Sequence, residues 1–318
     1  MGNQNEDSTE KVLDPEFISV IVDVMDVKPN EIKNITYLKK GITNDSFTFE
    51  VKDKTYIIRI PGVGTDKLIN RVNEYNVYEV LKGKKISDHV IYISYESGIK
   101  ITEFWETARV CDPFDRNDVR RCMEKLKEFH NSNLEVSHFF DPFAEIEFYE
   151  SLWKGKPLMF EDYVDVKKNV LSLEKLIDQL PKQLVLAHVD SISDNFLFVE
   201  DTVFVIDWEY AAMQDPHFDI AMFAIYSMYD REQTDYLMES YFAGKCTTEI
   251  RMKIYAYMAI GGLLWSNWCE YKSALGVDFG EYAIKQYEYA KEYYAIVVNE
   301  LLPKTEYSLE MRTIKGKK

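Results

Sequence analysis

The run "LAHVDSISDNFLFVEDTVFVIDWEYA", Leu186 to Ala211, holds His188, Asp190, Asn195 and Asp207, with two apolar, strand-like segments between them. Asp and Asn offer hard oxygen atoms, the donors that Mg2+ takes when it is held against phosphate. A further carboxylate in such a set can accept the proton of an attacking hydroxyl. Together these residue types match what phosphoryl transfer asks of a protein. The same types are also good turn formers, so spacing and flanking elements decide between the two readings.

"QLVLAHVD" reads as a buried strand that delivers His188 and Asp190 into a loop, and Asn195 follows five residues after Asp190. "FLFV", a turn at Glu200-Asp201 and "TVFVID" then form a hairpin whose exit carries Asp207. That hairpin is expected to fold Asp207 back toward Asn195, so that residues apart in sequence share one ion. The H-x-D-x-x-x-x-N spacing is that of a protein-kinase catalytic loop, and an Asp after the hairpin stands where those enzymes keep the Asp of D-F-G.

Phosphates also need a fixed cation braced by an acidic residue. Arg59 sits within the apolar strand pattern "YIIRI", where an unpaired charge is costly. Glu74 lies on the helix that follows, and pairing the two would satisfy both. Upstream, "KKGITNDSF" sets Gly41 between two strand patterns, where backbone amides can approach phosphates, although the chain has no G-x-G-x-x-G.

The elements that must hold these residues follow from hydrophobic period. "ITYLKKGITNDSFTFEVKDKTYIIRIPG" reads as a β-meander, with Phe47, Phe49 and Val51 alternating with polar neighbours and a turn at "KDK". From Thr65, expected as the N-cap, a helix would place Leu68, Val72, Tyr75 and Leu81 on one face. "HVIYISYESGIKITEF" returns to strand around Ser97-Gly98. Beyond "ETARVCDPFDRND" helical stripes take over, beginning with Val119, Cys122, Met123, Leu126 and Phe129.

The expected class is α+β in two lobes. A tail covers 1–11, a strand-rich lobe with one helix 12–101, a hinge 102–108, a mostly helical lobe 109–302, and a polar, locally basic tail 303–318.

Composition narrows the function classes. With 318 residues, 46% of them hydrophobic, the chain can fill two cores, which excludes global disorder. A net charge of -16 argues against a nucleic-acid partner. It suits a cationic small molecule, and it also suits plain solubility. Cys111, Cys122, Cys246 and Cys269 form no CxxC and read as free thiols. "IYAYMAIGGLLWSNW", from Ile254, is too short to span a bilayer and reads as a buried core helix. With no apolar leader in "MGNQNEDSTEK", the expectation is a cytoplasmic protein without membrane partners, as monomer or homodimer.

Trp265 and Trp268 in "GGLLWSNWCEYK" share a helix face, with Tyr271 and Lys272 continuing the stripe. Such a stripe is ordinary core. It is also what a trimethylammonium group needs, since that cation donates no hydrogen bonds and is held by ring faces.

"HVDSISDN" and "VIDWEYAAMQDPHFDIA" together resemble the choline/ethanolamine kinase and aminoglycoside phosphotransferase superfamily, and most closely the bacterial choline kinases of the LicA type. The likeness extends through "GITND", "IIRIPGVGTDKLINRVNE", "GIKITEF" and "WSNWCEYK", over nearly the whole chain. It implies a protein-kinase-like bilobal fold, with ATP and Mg2+ as cofactors. Asp190 would be the catalytic base, with Asn195 and Asp207 as Mg2+ ligands. Arg59 would meet the nucleotide phosphates, with Glu74 as its partner. Gly41, Ile42, Thr43 and Asn44 would cover the phosphates, and Thr102, Glu103 and Phe104 would line the adenine slot. His188 and Asp219 would brace the loop, and His130, in "EFHN", would be structural.

The resemblance also favours Trp265 and Trp268 as a cage for choline, completed by Tyr226, Tyr229 and Tyr271. Those kinases carry a pocket glutamate where this chain has Tyr226, so the anion facing the ammonium is sought among Glu209, Asp230 and Glu270. The implied reaction is phosphorylation of choline by ATP to phosphocholine and ADP. An ethanolamine or aminoglycoside kinase is the alternative within the superfamily. A catalytically silent nucleotide-binding module is the alternative from another class, and the presence of Asp190, Asn195, Asp207, Arg59 and Glu74 together counts against it.

Overall fold

Alternation in the first strands decides what the N-terminal sheet buries. In the computed structural model, which describes residues 12–40, 44–62, 65–153 and 159–309, the chain divides into two compact units. The first runs to Arg109 and adds Leu197–Glu209; the second holds Val110–Phe196 and the chain from Tyr210 onward.

In the first unit β1 (Lys33–Lys40), β2 (Asn44–Val51), β3 (Lys54–Pro61), β4 (Val90–Ile93) and β5 (Lys100–Glu103) form one antiparallel sheet in the order β1-β2-β3-β5-β4. Phe47, Phe49 and Val51 face the same side as Tyr56, Ile58 and Ile60, through the pairs Phe47↔Ile58 and Phe49↔Tyr56. A helix, α1 (Pro15–Met25), is joined to that face through Ile21 and the partly buried Phe17 and Ile18. Sequence period predicts one helix in this region, and α1 is a second. Its β-branched run "ISVIVDV" has weak helix propensity, which Pro15 at the start and burial against the sheet override.

The opposite face of β3 carries Arg59. The helix of that face is α2 (Arg71–Leu81), which begins later than Thr65. Thr65 opens a short 3-10 turn, and Asn70 caps α2 by accepting hydrogen bonds from the amides of Val72 and Asn73. This later start shifts the buried stripe to Glu74, Val77, Tyr78 and Leu81 and leaves Val72 half exposed. The short β6 (Arg109–Val110) and the hairpin of β8 (Phe196–Val199) and β9 (Thr202–Val205) follow, with the Arg109 guanidinium 4.2 Å over the Phe198 ring. The hairpin is fastened within the first unit by the Val205 amide donating to the Ile86 carbonyl at 2.8 Å.

The second unit comprises α3 (Arg116–His130), α4 (Pro142–Trp153), α5 (Tyr163–Gln179), α6 (Pro216–Tyr226), α7 (Arg231–Phe242), α8 (Thr248–Ser273) and α9 (Glu281–Ile296). Two short strands, β7 (Val185–Ala187) and β10 (Ala212–Gln214), pair antiparallel beside them. The predicted stripe of α3 is buried in full. α8 is buried over most of its length. It packs closely on α9 because Gly262 has no side chain: a Cβ there would lie 2.5 Å from the Gln286 carbonyl oxygen and 2.9 Å from the Ala290 amide. Among the described residues no helix is long and apolar enough to cross a membrane, and all four cysteines are free thiols. The expected tail 1–11, the end of the expected C-terminal tail at 310–318, and Gly41, Ile42 and Thr43 lie outside the described residues.

Candidate active site

In the first unit the charged candidates form one buried group. Arg59 reaches Glu74 Oε1 with one terminal nitrogen and donates with the other, Nη1, to Asp207 Oδ1 at 2.8 Å. Arg71, one turn before Glu74 on α2, donates to Glu74 Oε2 at 2.8 Å. Glu209 Oε2 lies 3.6 Å from a nitrogen of each guanidinium and accepts from Asn44 Nδ2 at 3.1 Å. Two guanidinium groups thus face three carboxylates.

Burial works against the Arg59 charge, but Glu74, Asp207 and Glu209 outweigh it and raise its pKa. Burial likewise pushes Glu74 up, and Arg59, Lys100 and Arg71 bring it below the usual carboxylate range. Glu209 is pushed up to about 7 by burial and then by Asp207, against the pull of Arg59. Carboxylate oxygens of Glu74, Asp207 and Glu209 lie within 4.8 Å of one another. These are hard oxygen donors of the kind a divalent cation takes, but Glu74 and Glu209 already face the two guanidinium groups, which leaves Asp207 as the most open carboxylate of the three.

Asp207 owes its position to the hairpin exit. Its φ of 65° is a left-handed turn that Asp tolerates. The Trp208 indole closes that turn by donating to the Val205 carbonyl at 2.9 Å. Thr102 and Glu103 end β5 opposite Ile57 and Tyr56. The Phe104 amide continues this edge by donating to the Thr55 carbonyl at 3.0 Å.

In the second unit the Asp190 loop is held from beneath. The buried Asp219 carboxylate accepts the amides of His188 at 2.8 Å and Val189 at 2.7 Å. The Ser191 hydroxyl donates to the Asp219 carbonyl at 2.6 Å. His130 Nε2 lies 2.9 Å from Asp219 Oδ2, and its Nδ1 lies 2.8 Å from the Tyr241 hydroxyl, so this histidine is a buried brace. Val189 has a φ of 70°, a conformation costing a β-branched residue of order 1–3 kcal/mol. The paired amide bonds to Asp219 hold it there, and Asp190 emerges half buried at the next position. Asn195 Nδ2 donates to the Asp190 carbonyl at 2.9 Å.

The paired tryptophans belong to a longer line of rings. Trp265 and Trp268 meet edge to face, with centroids 5.8 Å apart. Trp265 meets Tyr210 at 5.8 Å and Trp268 meets Phe279 at 5.2 Å. Phe279 leads to Tyr282 at 6.5 Å, and Tyr282 to Tyr226 at 6.0 Å. Lys272 Nζ lies 5.6 Å from the Trp268 ring centre, so that ring already accepts a cation's field.

Tyr226, the last residue of α6, belongs to this line, whereas Tyr229 does not. α6 ends at Tyr226 and the chain turns through Met228 at a φ of 54°, so the spacing of three no longer shares a helix face. The Tyr229 hydroxyl instead donates to the Pro113 carbonyl. Tyr271 is buried without a ring contact among the described residues. Glu209 lies with the guanidinium groups described above. Asp230 caps α7. Burial raises the Glu270 carboxyl.

Sequence reasoning missed Arg71, Phe279 and Tyr282. The i,i+3 spacing to Glu74 in "RVNE" could have marked Arg71. For the two rings in "GVDFGEYA" no local signal exists, because the α8–α9 turn brings Phe279 to Trp268 and Tyr282 to Phe279.

A choline/ethanolamine kinase family model matches residues 35–242. Protein LicA of Haemophilus influenzae (strain ATCC 51907 / DSM 11121 / KW20 / Rd) is 27% identical over 78% of this chain and 97% of its own length. The crystal structure of choline kinase LicA from Streptococcus pneumoniae superposes with a TM-score of 0.77 at 29% identity, covering 88% of this chain and 98% of that one. A LicA structure in complex with AMP gives 0.76 at 28% identity over 92% and 100%. The fold is thus the α+β, protein-kinase-like one expected from the sequence. The chain belongs to the choline/ethanolamine kinase family and is a phosphotransferase acting on an alcohol group.

Proposed function

We propose that the protein phosphorylates the hydroxyl of choline with ATP and Mg2+, giving phosphocholine and ADP. The observation that carries this reading is the line of rings from Trp265 and Trp268 through Phe279 and Tyr282 to Tyr226. A quaternary ammonium has no N–H to satisfy, so ring faces and not carbonyls are its natural partners. A primary ammonium would ask for several acceptors, and an aminoglycoside for a broad polar surface. The AMP bound by a LicA relative supports nucleotide use.

In this reading Asp190 takes the proton of the choline hydroxyl, and the Asp219 clamp on the preceding amides holds that carboxylate in place. Arg59, kept charged by Glu74, binds nucleotide phosphate, and Asn44 covers the phosphates. Thr102, Glu103 and Phe104 line the adenine slot. Asn195 and Asp207 are the ligands for Mg2+, which would neutralise phosphate charge when bound. Catalysis then rests on positioning and charge, since phosphoryl transfer needs little covalent chemistry from the protein.

The test is ADP release by the purified protein with ATP and Mg2+, comparing choline, ethanolamine and kanamycin at matched concentrations. Choline turnover well above the others is expected. Preference for ethanolamine or kanamycin would keep the phosphotransferase and remove the ring cage. No turnover with any of the three, with ATP still bound, would favour a silent nucleotide-binding module.

A further inference from the structure

The ring line ends beside an uncompensated carboxylate. Tyr226 directs its hydroxyl to Asp194 Oδ2, at 2.9 Å. Asp194 is exposed, and no lysine or arginine pairs with it among the described residues. It lies in the loop between Asp190 and Asn195, within the short 3-10 turn Ser193–Asn195.

The electrostatic neighbourhood agrees with this placement. Burial raises the Tyr226 hydroxyl, and the charges of Asp194 and Asp190 raise it further. The Tyr282 hydroxyl is raised mainly by burial and also feels Asp190. The proposed base is therefore within electrostatic reach of this end of the line.

Rings alone attract a cation weakly and also accept a neutral group of the same shape. A fixed carboxylate at the edge of the rings supplies the Coulomb term that separates the two. Resting on the choline reading above, we propose that Asp194, oriented by the Tyr226 hydroxyl, is the anion of the amine pocket and selects a cationic alcohol over its neutral isostere. Of the three acidic residues sought for this role from the sequence, Glu209 is engaged with Arg59 and Arg71, Asp230 caps α7, and Glu270 has its carboxyl raised by burial. The Tyr226 hydroxyl acts as a positioning group, because its bond fixes the carboxylate relative to the ring that leads to Tyr282.

The experiment uses the full chain with Asp194→Asn and Asp194→Glu, choline as substrate and 3,3-dimethyl-1-butanol as the neutral competitor. For Asp194→Asn the choline KM is expected to rise roughly fivefold. The inhibition constant of the neutral alcohol and the ATP KM should stay at wild-type values, and Asp194→Glu should recover most of the loss. Raising the salt concentration should weaken choline binding in the wild type more than in Asp194→Asn. Equal effects of Asp194→Asn on choline and on the neutral alcohol would overturn the inference. So would an ATP KM that rises as much as the choline KM, because the change would then act through the adjacent Asn195. Wild-type protein that neither binds nor phosphorylates choline would defeat the choline reading itself, and this inference with it. An active wild type with an indifferent Asp194→Asn would defeat the inference alone.

Discussion

The ion group of the first unit and the ring line of the second solve opposite problems. Arg59, Arg71, Glu74, Asp207 and Glu209 are charges taken largely out of water, and they are tolerable there because each touches an opposite charge. The rings around Trp265 and Trp268 need no such compensation, and their burial is itself favourable. A site for phosphate must therefore build its own counterions into the fold, whereas a site for a quaternary amine can be made from core residues. Damage to the first should cost stability together with nucleotide affinity. Damage to the second should chiefly alter recognition of the amine.

The largest effect should come from the Asp190 loop. Asp190→Ala is expected to lower kcat by about 10²–10⁴-fold while ATP still binds. Rapid-quench turnover and nucleotide titration check both halves, and a rate near wild type would remove Asp190 as the base. Arg59→Met leaves Glu74 and Glu209 buried with one cation fewer, and should destabilise the fold by about 3–5 kcal/mol in urea titrations. Adding Glu74→Gln to that variant should cost less than the two single losses combined, because the carboxylate most dependent on Arg59 is then neutral.

On the aromatic side, Trp265→Ala should raise the choline KM by roughly 2–30-fold, the loss of about 0.5–2 kcal/mol of cation–π attraction, with the ATP KM unchanged. Equal changes in both constants would make Trp265 a packing residue. Packing itself is tested at Gly262. Gly262→Ala meets backbone atoms of α9 at 2.5 and 2.9 Å, and should lower stability by about 1–3 kcal/mol and loosen the contact that carries Tyr282. Gly261→Ala should cost less, since the nearest atom to its added Cβ is the flexible end of Met222. If the two variants melt alike, close α8–α9 approach is not what holds the ring line together.

Much of this was legible in the chain because period reports which face of an element is apolar. The alternation of Phe47, Phe49 and Val51, the hairpin turn at Glu200-Asp201 and the stripe of α3 all stand in the structure where sequence put them. An arginine within "YIIRI" announced a buried partner by the cost of having none, and Glu74 is that partner.

Other features had no local signature. The β-branched composition of α1 points to a strand, and Pro15 at its start together with packing against the sheet makes it a helix. Asn70 and Thr65 are both capable caps, and the path of the chain before α2 chose Asn70. Tyr226 and Tyr229 were expected to complete one cage, but the helix stops at Tyr226 and only Tyr226 joins the rings. Phe279 joined Trp268, and Tyr282 joined Phe279, because a glycine let α9 approach α8, and Glu209 joined Arg59 because the hairpin exit turned back within the first unit. Sequence alone determined which residues carry charge, rings and period, since these are properties of single residues and their neighbours. Only the tertiary structure decided which of them meet, because contacts across long separations depend on packing that no local pattern encodes.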